Sequence, residues 1–202
     1  MASSSLKPAV NRIIEPLART LSRIGVTPDA VTLAGTIATI SSALYFYIDG
    51  QLVLGTILIS LFTLTDMLDG AIARASERGP SKWGGFLDST CDRLADASIL
   101  MGLAIYLVNE NVDRLTPVVL ASIVASNLIP YIRAKAESYG IACAVGMAER
   151  TERLILTLVA IGFSGLGVPY VLAVGMWLLL TLSLVTIVQR IWVVRKGLLA
   201  HG

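Results

Sequence analysis

The chain has 202 residues, of which 55% are apolar and only 15% charged, with a formal net charge of +2. A mean hydropathy of +0.75 excludes an ordinary water-soluble domain, and with so small a charge no nucleic-acid partner is expected. Cys91 and Cys143 are too few and too isolated for a disulfide framework or a zinc site, so both read as small apolar fillers.

The N-terminal stretch has no signal-peptide core. Within residues 6–24, Ile13, Ile14, Leu17, Leu21 and Ile24 recur at helical spacing with Arg12, Arg19 and Arg23 between them. That pattern predicts an interfacial amphipathic helix lying on anionic membrane lipids, although an ordinary cytosolic helix packed on a bundle would share it. Next come Thr27-Pro28-Asp29-Ala30-Val31-Thr32, with Pro and Asp where a helix should begin. The free backbone N–H groups of such a turn suit a phosphate or a nucleobase.

Apolar runs long enough to cross ~30 Å of hydrocarbon follow at approximately 31–49, 51–75, 85–108, 115–136, 152–167 and 168–194. The fold class expected is therefore an all-α integral membrane protein with six transmembrane helices behind the juxtamembrane helix. With six spans both termini share one side, and every Lys and Arg except Arg114 falls on or near it. The positive-inside rule makes that side cytoplasmic and the chain a multi-pass protein of the cell membrane. No repeat or shift of composition divides the sequence, so residues 1–202 read as a single membrane domain.

The chemistry is concentrated between Asp66 and Asp92. Asp66 and Asp69 stand three apart at the cytoplasmic end of the second span, and Asp88 and Asp92 stand four apart at the start of the third. On helices each pair shares a face. A carboxylate near bilayer depth is costly unless it finds a cation, and paired hard oxygen ligands suit a divalent metal, Mg²⁺ above all. Gly70 leaves room for a diphosphate or ribose to approach the backbone, and Arg74 one turn on offers a planar donor fork to phosphate. Asp96 continues the series one turn deeper; it reads as a salt-bridged or supporting residue, with metal ligation as the alternative and Arg93 as its local partner or a cytoplasmic anchor.

These residues carry a resemblance. The pattern D-x-x-D-G-x-x-A-R, then nine residues, then G-x-x-x-D-x-x-x-D is filled by Asp66, Asp69, Gly70, Ala73, Arg74, Gly84, Asp88 and Asp92. It resembles the signature of the CDP-alcohol phosphotransferases. The resemblance implies transfer of a phosphatidyl or similar group from a CDP-linked lipid to an alcohol, with release of CMP. It also implies two divalent ions, Mg²⁺ or in its place Mn²⁺, on the four Asp residues, with Asp92 as general base or ligand, and a homodimer. A CDP-lipid would then contact Asp29, Ala30, Val31, Thr32, Gly70, Ala73 and Arg74, with the Ser81 hydroxyl reaching the nucleotide.

The acceptor is read elsewhere. Tyr131 to Glu137 closes the fourth span, Glu149 to Arg153 opens the fifth, and Arg195 ends the sixth. Cations from three span ends on one face suggest a second anion pocket, although a positive-inside collar would look similar, and Arg190 reads as part of such a collar. RAKAE followed by ERTER resembles the actinobacterial phosphatidylinositol phosphate synthases within the family. That branch implies CDP-diacylglycerol and inositol 1-phosphate as substrates, with Lys135, Arg153 and Arg195 on the acceptor phosphate. Phosphatidylglycerophosphate synthesis from glycerol 3-phosphate is the alternative. A lipid or ion binding or transport protein is the non-enzymatic one.

Overall fold

Among the described residues of the computed structural model (20, 25–64, 70–73, 79, 81–112, 114–147 and 149–201) the regular structure is entirely helical. Helix α1 (Pro28–Ser42) runs into a π turn (Ala43–Tyr47), followed by α2 (Leu52–Thr63), α3 (Lys82–Asn109), α4 (Thr116–Ser138), α5 (Arg150–Gly165) and α6 (Val171–His201). Pro28–Tyr47, Thr116–Ser138 and Val171–Leu199 are each long and apolar enough to cross a membrane, and α2 is a shorter apolar helix. The chain is a membrane protein. Helix α3, with 28 residues, is about 42 Å long at 1.5 Å per residue, but its first half carries the carboxylates. The amphipathic helix predicted over 6–24 lies outside the described residues except for Thr20, which is helical.

Helices start and stop where local chemistry dictates. Thr27 caps α1: its Oγ1 accepts the Ala30 N–H at 3.3 Å, with Pro28 at the first helical position and Asp29 in the first turn. Helix α4 ends with the Ile141 N–H bonded to the Ala136 carbonyl and the Gly140 N–H to that of Glu137. This reversal needs a left-handed residue, and Gly140 supplies it at φ +75°. The end of α5 repeats it at Gly167. Helix α2 ends earlier than the predicted 51–75 run: Leu64 is already in a turn, and helix is next described at 70–73. At the other end α6 continues past 194 to His201, its Arg, Lys, Leu and Ala residues favouring helix despite Gly197.

The chain divides into two units, Met1–Ser42 with Leu58–Ala95, and Ala43–Ile57 with Asp96–Gly202. In the second unit α6 packs against α4 and α5. Ala125 and Ile129 of α4 meet Ile187 of α6, with Ile132 and Leu180 at the edge. Small residues set the spacing: a Cβ on Gly175 would lie 2.4 Å from that of Ala160, and one on Gly102 would lie 2.4 Å from the Ala43 carbonyl oxygen in the π turn. Between helices that share an apolar solvent, such close backbone approach replaces the hydrophobic driving force. Tyr47 is fully buried, and its hydroxyl is paired with Thr56 Oγ1 at 2.9 Å. In the first unit, Ala71 and Ile72 form a small core against Val31, so the 70–73 turn rests on the start of α1.

Candidate active site

In the first unit two helix starts converge. Ser81 caps α3, its Oγ accepting the Gly84 N–H at 2.9 Å. A Cβ at Gly84 would stand 3.2 Å from Ser81 Oγ and 3.7 Å from Asp29 Oδ1, so the first turns of α1 and α3 adjoin through a glycine that leaves the gap open. Two N-termini in one place present partial positive charge, which favours an anion.

The predicted nucleotide contacts are not equivalent here. The Ala30 N–H is bonded to Thr27 Oγ1, and the Val31 N–H to the Thr27 carbonyl at 3.3 Å, so neither is the free donor that the sequence suggested. Thr32 is buried and its hydroxyl donates to the Pro28 carbonyl at 3.1 Å. Val31 packs on Ala71 and Ile72. Asp29 keeps a half-exposed carboxylate at the convergence, and Gly70 and Ala73 flank the buried pair that rests on α1. Ser81 has a definite structural task as a cap, which leaves its O–H proton available to a ligand.

Asp88 and Asp92 follow on α3, one turn apart and both half-exposed. Asp66, Asp69 and Arg74 lie outside the described residues. Among the described residues alone no group of three or more His, Cys, Asp or Glu side chains could hold a metal. The two described motif carboxylates are hard oxygen donors on one helix face, beyond a glycine-lined gap, and such a donor set fits a divalent cation.

The second unit contains a cationic cluster. Asp96 accepts both prongs of Arg150, Nη2 at 3.3 Å and Nε at 3.4 Å, which ties α3 to the first turn of α5. The salt-bridged reading of Asp96 therefore holds, with Arg150 as an ionic partner. Arg93, expected near Asp96, donates to the Ser89 carbonyl of its own helix. Glu149 and Glu152 close a capping box at the head of α5, with the Glu149 N–H on Glu152 Oε2 at 2.9 Å. Arg153, one turn in, is only 8% exposed and lies in the field of Asp96, Arg150 and Arg190. Arg153 thus meets one carboxylate and two further guanidinium groups, a setting that suits a bound anion.

The other two predicted acceptor cations differ from Arg153 in setting. Lys135 is exposed near the end of α4 with its Nζ 4.7 Å over the Tyr139 ring, and Arg195 is exposed near the end of α6. Arg190 is not a collar residue. It is 8% exposed, and donates from Nε to the Val145 carbonyl at 2.9 Å and from Nη1 to the Ile129 carbonyl at 2.6 Å. Sequence reasoning missed it because a count of positive charge by side of the membrane does not register burial.

Comparison with known proteins yields three findings. Residues 25–192 match the CDP-alcohol phosphatidyltransferase family. A phosphatidylinositol phosphate synthase of Streptomyces avermitilis is 42% identical over 193 residues, which cover 92% of this chain and 79% of the relative. Two crystal structures of the Mycobacterium tuberculosis phosphatidylinositol phosphate synthase are similar. The one with CDP-DAG bound has a TM-score of 0.87 at 42% identity, covering 91% of this chain and 94% of that one. The one in complex with manganese and citrate has a TM-score of 0.86 at 40% identity, covering 90% and 88%.

Proposed function

Since this chain belongs to the CDP-alcohol phosphatidyltransferase family, we propose that it transfers the phosphatidyl group of CDP-diacylglycerol to a hydroxyl of inositol 1-phosphate, forming phosphatidylinositol phosphate and CMP. The observation that carries the choice of acceptor is the buried Arg153, which has Arg150 and Arg190 as well as Asp96 in its field and so suits an alcohol already bearing a phosphate. Identity of 42% to a phosphatidylinositol phosphate synthase over 92% of the chain supports the same choice. Residues 1–202 act as one domain, a six-span bundle with an amphipathic N-terminal helix, working as a homodimer with the site and both termini on the cytoplasmic face of the cell membrane.

In this reading the adjoining starts of α1 and α3, with Asp29, Ser81 and Gly84, receive the nucleotide diphosphate, together with Gly70, Ala73 and Arg74. Asp66, Asp69, Asp88 and Asp92 hold two Mg²⁺ ions, with Mn²⁺ as a working substitute; a manganese complex of the M. tuberculosis relative supports divalent metal use. Bound there, the ions neutralise the diphosphate and the charge growing on the leaving CMP oxygen. Lys135, Arg153 and Arg195 hold the acceptor phosphate and so aim its hydroxyl. Asp92 accepts the hydroxyl proton as the oxygen bonds to the lipid-side phosphorus. The bond from that phosphorus to the bridging oxygen breaks, and CMP leaves with the electron pair. Purified protein given labelled CDP-diacylglycerol and a divalent metal should release CMP when inositol 1-phosphate is added. Binding without any release would leave a lipid-binding or transport role.

A further inference from the structure

The segment between α4 and α5 is not helical, yet it is firmly seated. It leaves α4 through the left-handed Gly140 and then follows α6. A Cβ at Gly197 would be 3.0 Å from Ile141, the Val145 carbonyl accepts from Arg190, and a Cβ at Gly146 would be 2.6 Å from Thr186 Cγ2. The segment reaches α5 at the Glu149 and Glu152 capping box. Lys135 stands just before it and Arg153 just after it. The segment therefore joins the helices that carry those two cations.

Arg190 is the polar fastening of that path. Its Nε prong holds the segment at Val145 and its Nη1 prong holds α4 at Ile129, six residues before Lys135. Burying a guanidinium in a membrane-crossing helix on main-chain carbonyls is expensive, and an apolar side chain would fill the space at lower cost. What the arginine supplies instead is a rigid fork with two directions fixed at once.

We propose that Arg190 is a positioning residue for the phosphorylated acceptor. By pinning Ile129 and Val145 to α6 it sets Lys135 and Arg153 at the separation that one phosphate can bridge. This rests on the acceptor pocket proposed above.

The test uses the purified enzyme and whichever acceptor the wild type consumes. Arg190→Gln should raise the acceptor KM about tenfold or more, as expected when one charge-assisted contact is misplaced, and leave the CDP-diacylglycerol KM within about twofold. Arg190→Lys, which can still reach one carbonyl, should recover part of the loss. Gly146→Ala keeps the Arg190 side chain but strains the backbone at φ +148° and pushes the segment, with its Val145 carbonyl, off Thr186; it should reproduce the acceptor-specific defect, and it decides the matter if Arg190→Gln does not fold. Unchanged acceptor KM in these variants, or equal losses for both substrates, overturns the proposal. If the wild type prefers glycerol 3-phosphate, the choice of inositol 1-phosphate fails while Arg190 is judged on glycerol 3-phosphate. If it uses only an unphosphorylated alcohol, the positioning role fails as well.

Discussion

Single residues divide into those that touch reacting atoms and those that aim them. Asp88→Asn should abolish turnover while leaving a folded membrane protein, because an anionic metal ligand becomes neutral with little change of shape. Asp92→Asn removes the proposed proton acceptor, so CDP-lipid binding should survive better than rate, which should fall by roughly 10² or more. Titrating CDP-lipid binding beside turnover separates the roles: a parallel loss would make Asp92 mainly a ligand. In the acceptor cluster, Arg153→Gln should lower kcat/KM for inositol 1-phosphate by about tenfold to a hundredfold, the equivalent of ~1.5–3 kcal/mol for a charge-assisted hydrogen bond. The control is Lys196→Gln, an exposed cation lying 4.7 Å over Trp192. Equal kinetics in the two variants would reduce Arg153 to a structural cation.

At the level of elements, the caps carry a separable prediction. Ser81→Ala deletes the acceptor of the Gly84 N–H and should cost roughly 1 kcal/mol, readable as a lower melting temperature. If the CDP-diacylglycerol KM also rises severalfold, Ser81 serves the nucleotide besides the helix. A melting shift with unchanged KM confines it to capping. The sequence exposed much of this architecture: the apolar runs at 31–49, 115–136 and 168–194 fall on the three described helices long and apolar enough to cross a membrane, and the G-x-x-x-D-x-x-x-D spacing marks the head of α3. What it hid depends on three-dimensional partners. Ala30 and Val31 look like free donors until Thr27 is seen to occupy them. Arg190 looks like a collar cation until its burial against two carbonyls is seen. The stretch 141–147 looks like an ordinary loop, because nothing local in a sequence reveals seating on a distant helix.

For the whole molecule, a membrane protein carries a reaction at the lipid headgroup. Chelation of divalent cations should stop CMP release completely, and Mg²⁺ or Mn²⁺ should restore it, since paired carboxylates left without a metal repel the diphosphate they would otherwise bind. Activity that persists in excess chelator would remove the metal from the scheme. The family fixes the donor class more firmly than the acceptor, which depends on a few cations around α4, α5 and α6. An acceptor panel is therefore the most direct test. CMP release from CDP-diacylglycerol would be measured with inositol 1-phosphate, free inositol, glycerol 3-phosphate and serine in parallel. Release with inositol 1-phosphate should lie well above that with the other three, and a preference for free inositol or serine would contradict a phosphorylated acceptor.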